Sequence, residues 1–280
     1  MELSTGFYLY IAVIVFIAGT VFGSFLNCLA WRTAHGQSVL RGRSHCAVCN
    51  HVLGPADLVP VVSYLALRGR CRYCRQKISP RYMVTEIVSG SAFVVSFIRY
   101  GLSLRALQLI ILFCILLPLS LVDLETLEIP DRFHIAGIFL WVCTGWMGTV
   151  FPGRGMGTYA WAAGEDWPAL TPGVILRYYA DGLAGGILIS VFMLLAVLLF
   201  DRILKKESMG GGDIKLYFTV SLFLGTWCGF FNVILSCLTG LVFAFALKAG
   251  KIPFGPSICA AAFISMLAGG GFVNWYLSLL

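Results

Sequence analysis

Two aspartates, Asp123 and Asp213, each stand where an apolar segment meets a polar loop. The first lies in Leu121-Val-Asp123-Leu-Glu-Thr-Leu-Glu-Ile-Pro-Asp131, the second in Met209-Gly-Gly-Gly-Asp213-Ile-Lys-Leu216. An ionisable side chain at membrane depth is costly to keep, which makes it a functional candidate. If two carboxylates come within hydrogen-bond distance, both cannot ionise, and the pair holds one proton. One can then take a proton from a water attacking a peptide carbonyl, while the other protonates the oxyanion and the leaving amine. Gly210, Gly211 and Gly212 lack Cβ atoms and would let an extended substrate strand approach the backbone. Spacing alone leaves other readings open. Asp213 before an apolar helix fits an N-cap, and Asp131 after Pro130 fits a helix start. Asp123 resists such a reading, because a carboxylate at a helix C-terminus opposes the macrodipole.

A second chemistry lies in the cysteines. Four of ten form Cys46-Ala-Val-Cys49 and Cys71-Arg-Tyr-Cys74, the spacing of a tetrahedral zinc site with one knuckle per pair. Two disulfides are the alternative, and a reducing compartment disfavours them. Four thiolates leave no open position, so the zinc is expected to be structural. The other six cysteines sit singly in apolar segments and read as packing residues. His45 and His51 beside the first knuckle read as surface residues.

The elements that must position these groups are membrane helices. The 280 residues are 59% hydrophobic and 12% charged, and the apolar residues fall in blocks long enough to span a bilayer. About eight spans are expected, near 7–30, 83–99, 105–122, 134–151, 178–200, 214–230, 232–247 and 256–279, with a soft boundary between the sixth and seventh at Gly229–Asn232. The start lacks a basic region and a small-residue cleavage site, and reads as a first span rather than a signal peptide. The fold class is therefore an all-α polytopic membrane protein with a small zinc-binding insert. Its expected organisation is a first helix over 1–30, a cytoplasmic four-cysteine domain over 31–82, and a core of about seven helices over 83–280.

The stretch 31–82 holds Arg32, Arg41, Arg43, Arg68, Arg70, Arg72, Arg75, Lys77 and Arg81 against one acid, Asp57. By the positive-inside rule it is cytoplasmic. Counting spans from there puts 123–133, 201–213 and 248–255 on the same side. Those loops carry Arg132, then Arg202, Lys205 and Lys206, then Lys248 and Lys251. Both aspartates thus reach the cytoplasmic boundary, both termini face outward, and 152–177 is an outside loop. The net charge of +7 is mostly this asymmetry; it implies contact with anionic lipid, and no nucleic-acid motif accompanies it. Glu125, Glu128 and Asp131 beside Asp123 either attract a basic substrate or are ordinary loop charges. A proton- or cation-coupled transporter is the rival from another class. Against it, both acids sit at one boundary and no inverted repeat is visible. The absence of His-Glu-x-x-His excludes the common zinc protease pattern.

These motifs together resemble the type IV prepilin peptidases, bacterial aspartyl proteases of the inner membrane. The resemblance runs through Gly23-Ser-Phe-Leu-Asn27 with Arg32, the stretch from Cys46 to Arg81-Tyr-x-x-x-Glu86, then Asp123 with Ile129-Pro-Asp131. It continues through Gly210-Gly-Gly-Asp213-Ile-Lys215 and Pro253-Phe-Gly-Pro256. The chain departs from the family at Thr33 and Met83, where proline is common. The resemblance implies that Asp123 and Asp213 are the catalytic pair and that Cys46, Cys49, Cys71 and Cys74 hold zinc. The implied substrates are prepilins and pseudopilins, cut on the cytoplasmic side after the final glycine of a basic leader. Full-length members then N-methylate the new terminus using S-adenosylmethionine, a function linked to Glu86 and Gly90 here. The oligomeric state stays open.

Overall fold

The computed structural model describes residues 5–38, 42–150, 172–205, 209–247 and 253–279. Most of the expected outside loop, and Arg41, Lys206, Lys248 and Lys251, lie outside the described residues. The described residues are almost all helical and contain no strand. That is the outcome expected of apolar blocks in lipid, where each backbone N–H and C=O must be satisfied within its own segment. Six helices are long and apolar enough to cross a membrane: Gly6–Ala34, Arg81–Tyr100, Leu104–Thr126, Ile175–Leu204, Gly211–Phe245 and Gly255–Leu277. Two compact units divide the chain at Gly101 and Leu102.

The first unit contains α1 (Thr5–Ala34), a short α2 (Val62–Ala66) and α3 (Arg81–Tyr100). α1 and α3 pack through small residues: a Cβ on Gly19 would lie 2.8 Å from the Gly90 Cα, and one on Gly23 2.8 Å from the Ser89 Cβ. Lipid gives helices no hydrophobic reason to associate, so close backbone approach supplies the attraction. Phe22, Phe25 and Ile98 point outward, as a lipid-facing surface requires. Buried Arg32 ends α1 by donating to the carbonyls of Ser38 (3.2 Å), Gly42 (3.1 Å) and Arg43 (3.3 Å). A cation there also complements the helix C-terminus.

The second unit contains α4 (Leu104–Thr126), α5 (Asp131–Val150), α6 (Pro172–Leu204), α7 (Gly211–Leu247) and α8 (Gly255–Ile264), which runs through π-helical Ser265–Gly269 into α9 (Gly270–Leu277). α6 begins earlier than the expected 178, so Arg177 lies in its first turns; there Tyr179 donates to the Val142 carbonyl at 2.7 Å. α7 is broken at Gly225, whose φ of 68° and ψ of −169° are not helical. Buried Tyr217 and Ser236 share a hydrogen bond across the break. In a straight helix they would stand about 28 Å apart, so the two halves of α7 fold back on each other. The turn falls before the expected Gly229–Asn232. Its cause lies on α6: Asp181 Oδ1 accepts from the Thr226 N–H (3.4 Å) and hydroxyl (3.2 Å), capping the second half. Any Cβ at residue 225 would collide with that carboxylate. Gly182 and Gly186 face Leu222 and Phe218, so this Gly-x-x-x-Gly spacing serves packing inside the unit.

Candidate active site

Asp123 begins the last turn of α4 and is only 5% exposed. The helix stops one turn later: Leu127 takes a left-handed φ of 57° and donates its N–H to the Asp123 carbonyl at 2.9 Å. The carboxylate itself accepts from the Gly255 N–H, 2.9 Å from Oδ2. Gly255 opens α8 within Pro253-Phe-Gly-Pro256, so a helix N-terminus with its partial positive charge faces the carboxylate. A Cβ at Gly255 would stand 2.7 Å from that oxygen. Sequence reasoning assigned this glycine no role, although its place between two proline-punctuated positions marked a helix start.

Asp213 occupies the third position of α7, so it is not the N-cap. Its Oδ1 is buried without a hydrogen-bond partner among the described residues, and its N–H donates to the Gly210 carbonyl at 3.1 Å. Lys215, two residues on, pairs with Asp131 in the segment that follows Asp123, so the two aspartate-bearing segments pack together. Two acids distant in sequence thus converge from the C-terminus of α4 and the N-terminus of α7. Packing around them holds the convergence. Gly212 rests on Ile129, whose Cβ is 3.1 Å from where its own would be. Gly210 and Gly211 face open space, apart from the Asp213 carboxylate near Gly210.

Lys215 reaches across to Asp131 at 2.7 Å, in a pair exposed on both sides. The ammonium holds the Asp131 carboxyl below the usual carboxylate range and offsets one of the three acids expected to draw a basic substrate. Glu125 in the last turn of α4 and Glu128 in the loop after it are exposed. One turn further in, the buried Thr219 hydroxyl meets His134 Nδ1 at 3.3 Å, while His134 Nε2 is buried without a partner. Sequence reasoning passed over His134; its spacing of three from Asp131 on one helix was the available signal.

In the first unit the sulfur atoms of Cys46, Cys49, Cys71 and Cys74 all lie within 4.8 Å of one another, and Cys46 Sγ and Cys74 Sγ are 3.9 Å apart. A tetrahedral zinc with Zn–S bonds of about 2.3 Å places its sulfurs about 3.8 Å apart, so the cluster fits the ion. The two knuckles repeat one local design. Asn50 (φ 55°) donates to the Cys46 carbonyl at 2.9 Å, and Arg75 (φ 58°) to the Cys71 carbonyl at 3.0 Å. No disulfide joins the cysteines. His51 stacks on Tyr73, ring centroids 3.6 Å apart, and His45 sits edge-on to Trp31. Asp57 ties the second knuckle down, accepting from Arg72 at 2.6 Å and Tyr73 at 3.2 Å; the guanidinium keeps its carboxyl below the ordinary range.

Glu86 and Gly90 have different surroundings. Buried Glu86 accepts from the Val61 N–H at 2.7 Å. A Cβ on Gly90 would meet Phe16 at 2.8 Å and Thr20 at 2.9 Å, which puts Gly90 in the α1–α3 contact.

Comparison with known proteins matches these two regions separately. Residues 17–100 match the Bacterial Peptidase A24 N-terminal domain, and residues 110–245 match the Type IV leader peptidase family. A prepilin leader peptidase/N-methyltransferase of Bacillus subtilis is 27% identical, covering 95% of this chain and 98% of its own length. One of Pseudomonas putida is 29% identical, over 93% and 91%. A type 4 prepilin-like proteins leader peptide-processing enzyme of Escherichia coli is 30% identical, over 88% and 90%. No solved structure matches the chain. With both of its regions matched and relatives aligned over most of its length, this chain belongs to the type IV leader peptidase family.

Proposed function

We infer that this protein is a membrane aspartic endopeptidase that removes the basic leader of type IV prepilins and pseudopilins, and then N-methylates the new terminus. The observation that carries the first activity is the convergence of Asp123 and Asp213, one oxygen held by the Gly255 N–H and another left unpartnered. A carboxyl pair too close for both members to ionise carries one proton. Its ionised member takes a proton from water as that water attacks the scissile carbonyl. Its protonated member donates to the developing oxyanion and then to the leaving amine. The Gly255 N–H fixes the Asp123 carboxylate through this exchange. The open backbone at Gly210 and Gly211 gives an extended cleavage site room beside the pair, with the cut after the leader's final glycine. Glu125 and Glu128 attract the leader's basic residues, while Lys215 offsets the charge of Asp131.

The zinc module and the aspartates face the cytoplasm and both termini face outward, in a bacterial inner membrane whose anionic lipid meets the basic loops. The fold-back of α7 and the apolar α5 support eight crossings rather than six. Zinc is structural. Bound S-adenosylmethionine supplies an electrophilic methyl group for the second activity. Cleavage of a leader-bearing prepilin in membranes tests the first activity: Asp123→Asn and Asp213→Asn should each abolish it at equal expression, and near-wild-type cleavage by either would refute the acid–base pair.

A further inference from the structure

The first unit holds a cavity of about 310 Å³, at the lower end of the range of small-molecule sites. α1 contributes Asn27 and Trp31, α3 contributes Tyr82 and Glu86, α2 contributes Tyr64, and the Cys46 and Cys71 knuckles close the far side. Asn27 is 4% exposed. Its Nδ2 faces the carbonyls of Gly23 (3.1 Å) and Tyr82 (3.4 Å) and the Thr85 hydroxyl. Flipping the amide would turn its oxygen onto two carbonyls, so the orientation is settled. Oδ1 is then a buried acceptor with no donor among the described residues. Such an atom needs a partner, and the cavity it borders is where one can enter. The nearby Glu86 carboxylate takes one bond, from the Val61 N–H.

The walls also say which ligand is wrong. Arg32 spends donors on the carbonyls that follow α1, and Arg72 is paired with Asp57. Besides these groups and Lys77, the lining offers the Glu86 carboxylate, the Asn27 acceptor, and the aromatic rings of Trp31, Tyr64 and Tyr82. A polyphosphate would meet unfavourable charge at Glu86. A donor-rich molecule that carries a positive charge, a flat heterocycle and a carboxylate is matched, the last by Lys77 in the lining.

We propose that this cavity is the S-adenosylmethionine site, with Asn27 and Glu86 taking the ligand's N–H and O–H donors and Trp31 its adenine. The assignment rests on the methyl-transfer reading above, and it makes Gly90 a packing residue. Because two zinc knuckles form part of the wall, it also makes donor binding depend on zinc.

The test is equilibrium binding of radiolabelled S-adenosylmethionine to the full-length, zinc-loaded protein in detergent. Wild type should bind; S-adenosylhomocysteine should compete and ATP should not. Glu86→Gln should weaken binding about tenfold or more, the scale of a lost charged hydrogen bond. Met83→Trp fills the cavity from another side and should abolish binding. Zinc content and unfolding temperature verify that each variant is folded, and the second variant decides the matter if the first misfolds. Wild-type affinity in a folded variant would overturn the location and leave the methyl-transfer reading standing. No binding by wild type would overturn both.

Discussion

The four-cysteine cluster and the aspartate pair bring distant atoms together in opposite ways. The four thiolates come from one stretch of chain, in two copies of the same turn, each closed by a left-handed residue and an N–H to the first cysteine's carbonyl. A metal can then fold the module almost alone, since zinc binding by such peptides is worth roughly 10–16 kcal/mol. The aspartate site draws on three separate segments, at 123–131, 210–215 and 253–256. Its geometry comes from helix packing, from one N–H on Asp123, and from a glycine resting on Ile129. Local information suffices for the first site, whereas the second exists only once four helices have assembled.

This contrast can be broken at several points. The largest effect is expected from the acids: Asp123→Asn or Asp213→Asn should lower prepilin cleavage by about 10²–10⁴-fold, without loss of zinc. Next, Cys71→Ser should release the zinc and expose 42–80 to protease while the helices of the second unit keep their unfolding transition. Simultaneous collapse of both would deny the module its independence. Gly255→Val should come third. Its branches would enter the space of Asp123 Oδ2, and cleavage should fall by about tenfold to a hundredfold with the fold intact. Gly225→Ala should be smaller and confined to stability. A non-glycine residue at that φ costs of order 1–3 kcal/mol, read as a lower unfolding temperature.

The smallest effect belongs to Lys215→Met. It removes an exposed pair, a class of interaction with little influence on stability, and cleavage should be nearly unchanged. Its sign with pH is fixed all the same. Asp131 is held below its ordinary value by Lys215, so its contribution is present above that value and disappears as pH falls through the depressed one. The variant should therefore differ least from wild type in acid.

Much of this was legible before any coordinates. The four-cysteine cluster is spelled out by two short spacings, and Asp123 and Asp213 are marked as candidates by their place at helix ends beside proline and glycine. The turn in α7 was misplaced because its cause is a carboxylate on another helix; Asp181 leaves no mark on the sequence around Gly225. Asp131 looked like a member of an acidic cluster, and only packing gives it Lys215. Gly255 stands just before the expected eighth span, and only packing puts Asp123 against its N–H. Gly90 and Glu86 are neighbours on one helix, yet they face different surroundings. Local rules reach as far as one element; partners across elements depend on the assembled bundle.

The most direct test of the central claim is a double-mutant cycle on cleavage: wild type, Asp123→Asn, Asp213→Asn and the double variant, at equal membrane levels and equal zinc content. Groups that share one proton act as a unit, so each single variant should lose as much as the double. Independent, multiplying losses, or a single variant that still cuts at a near-wild-type rate, would contradict the pair.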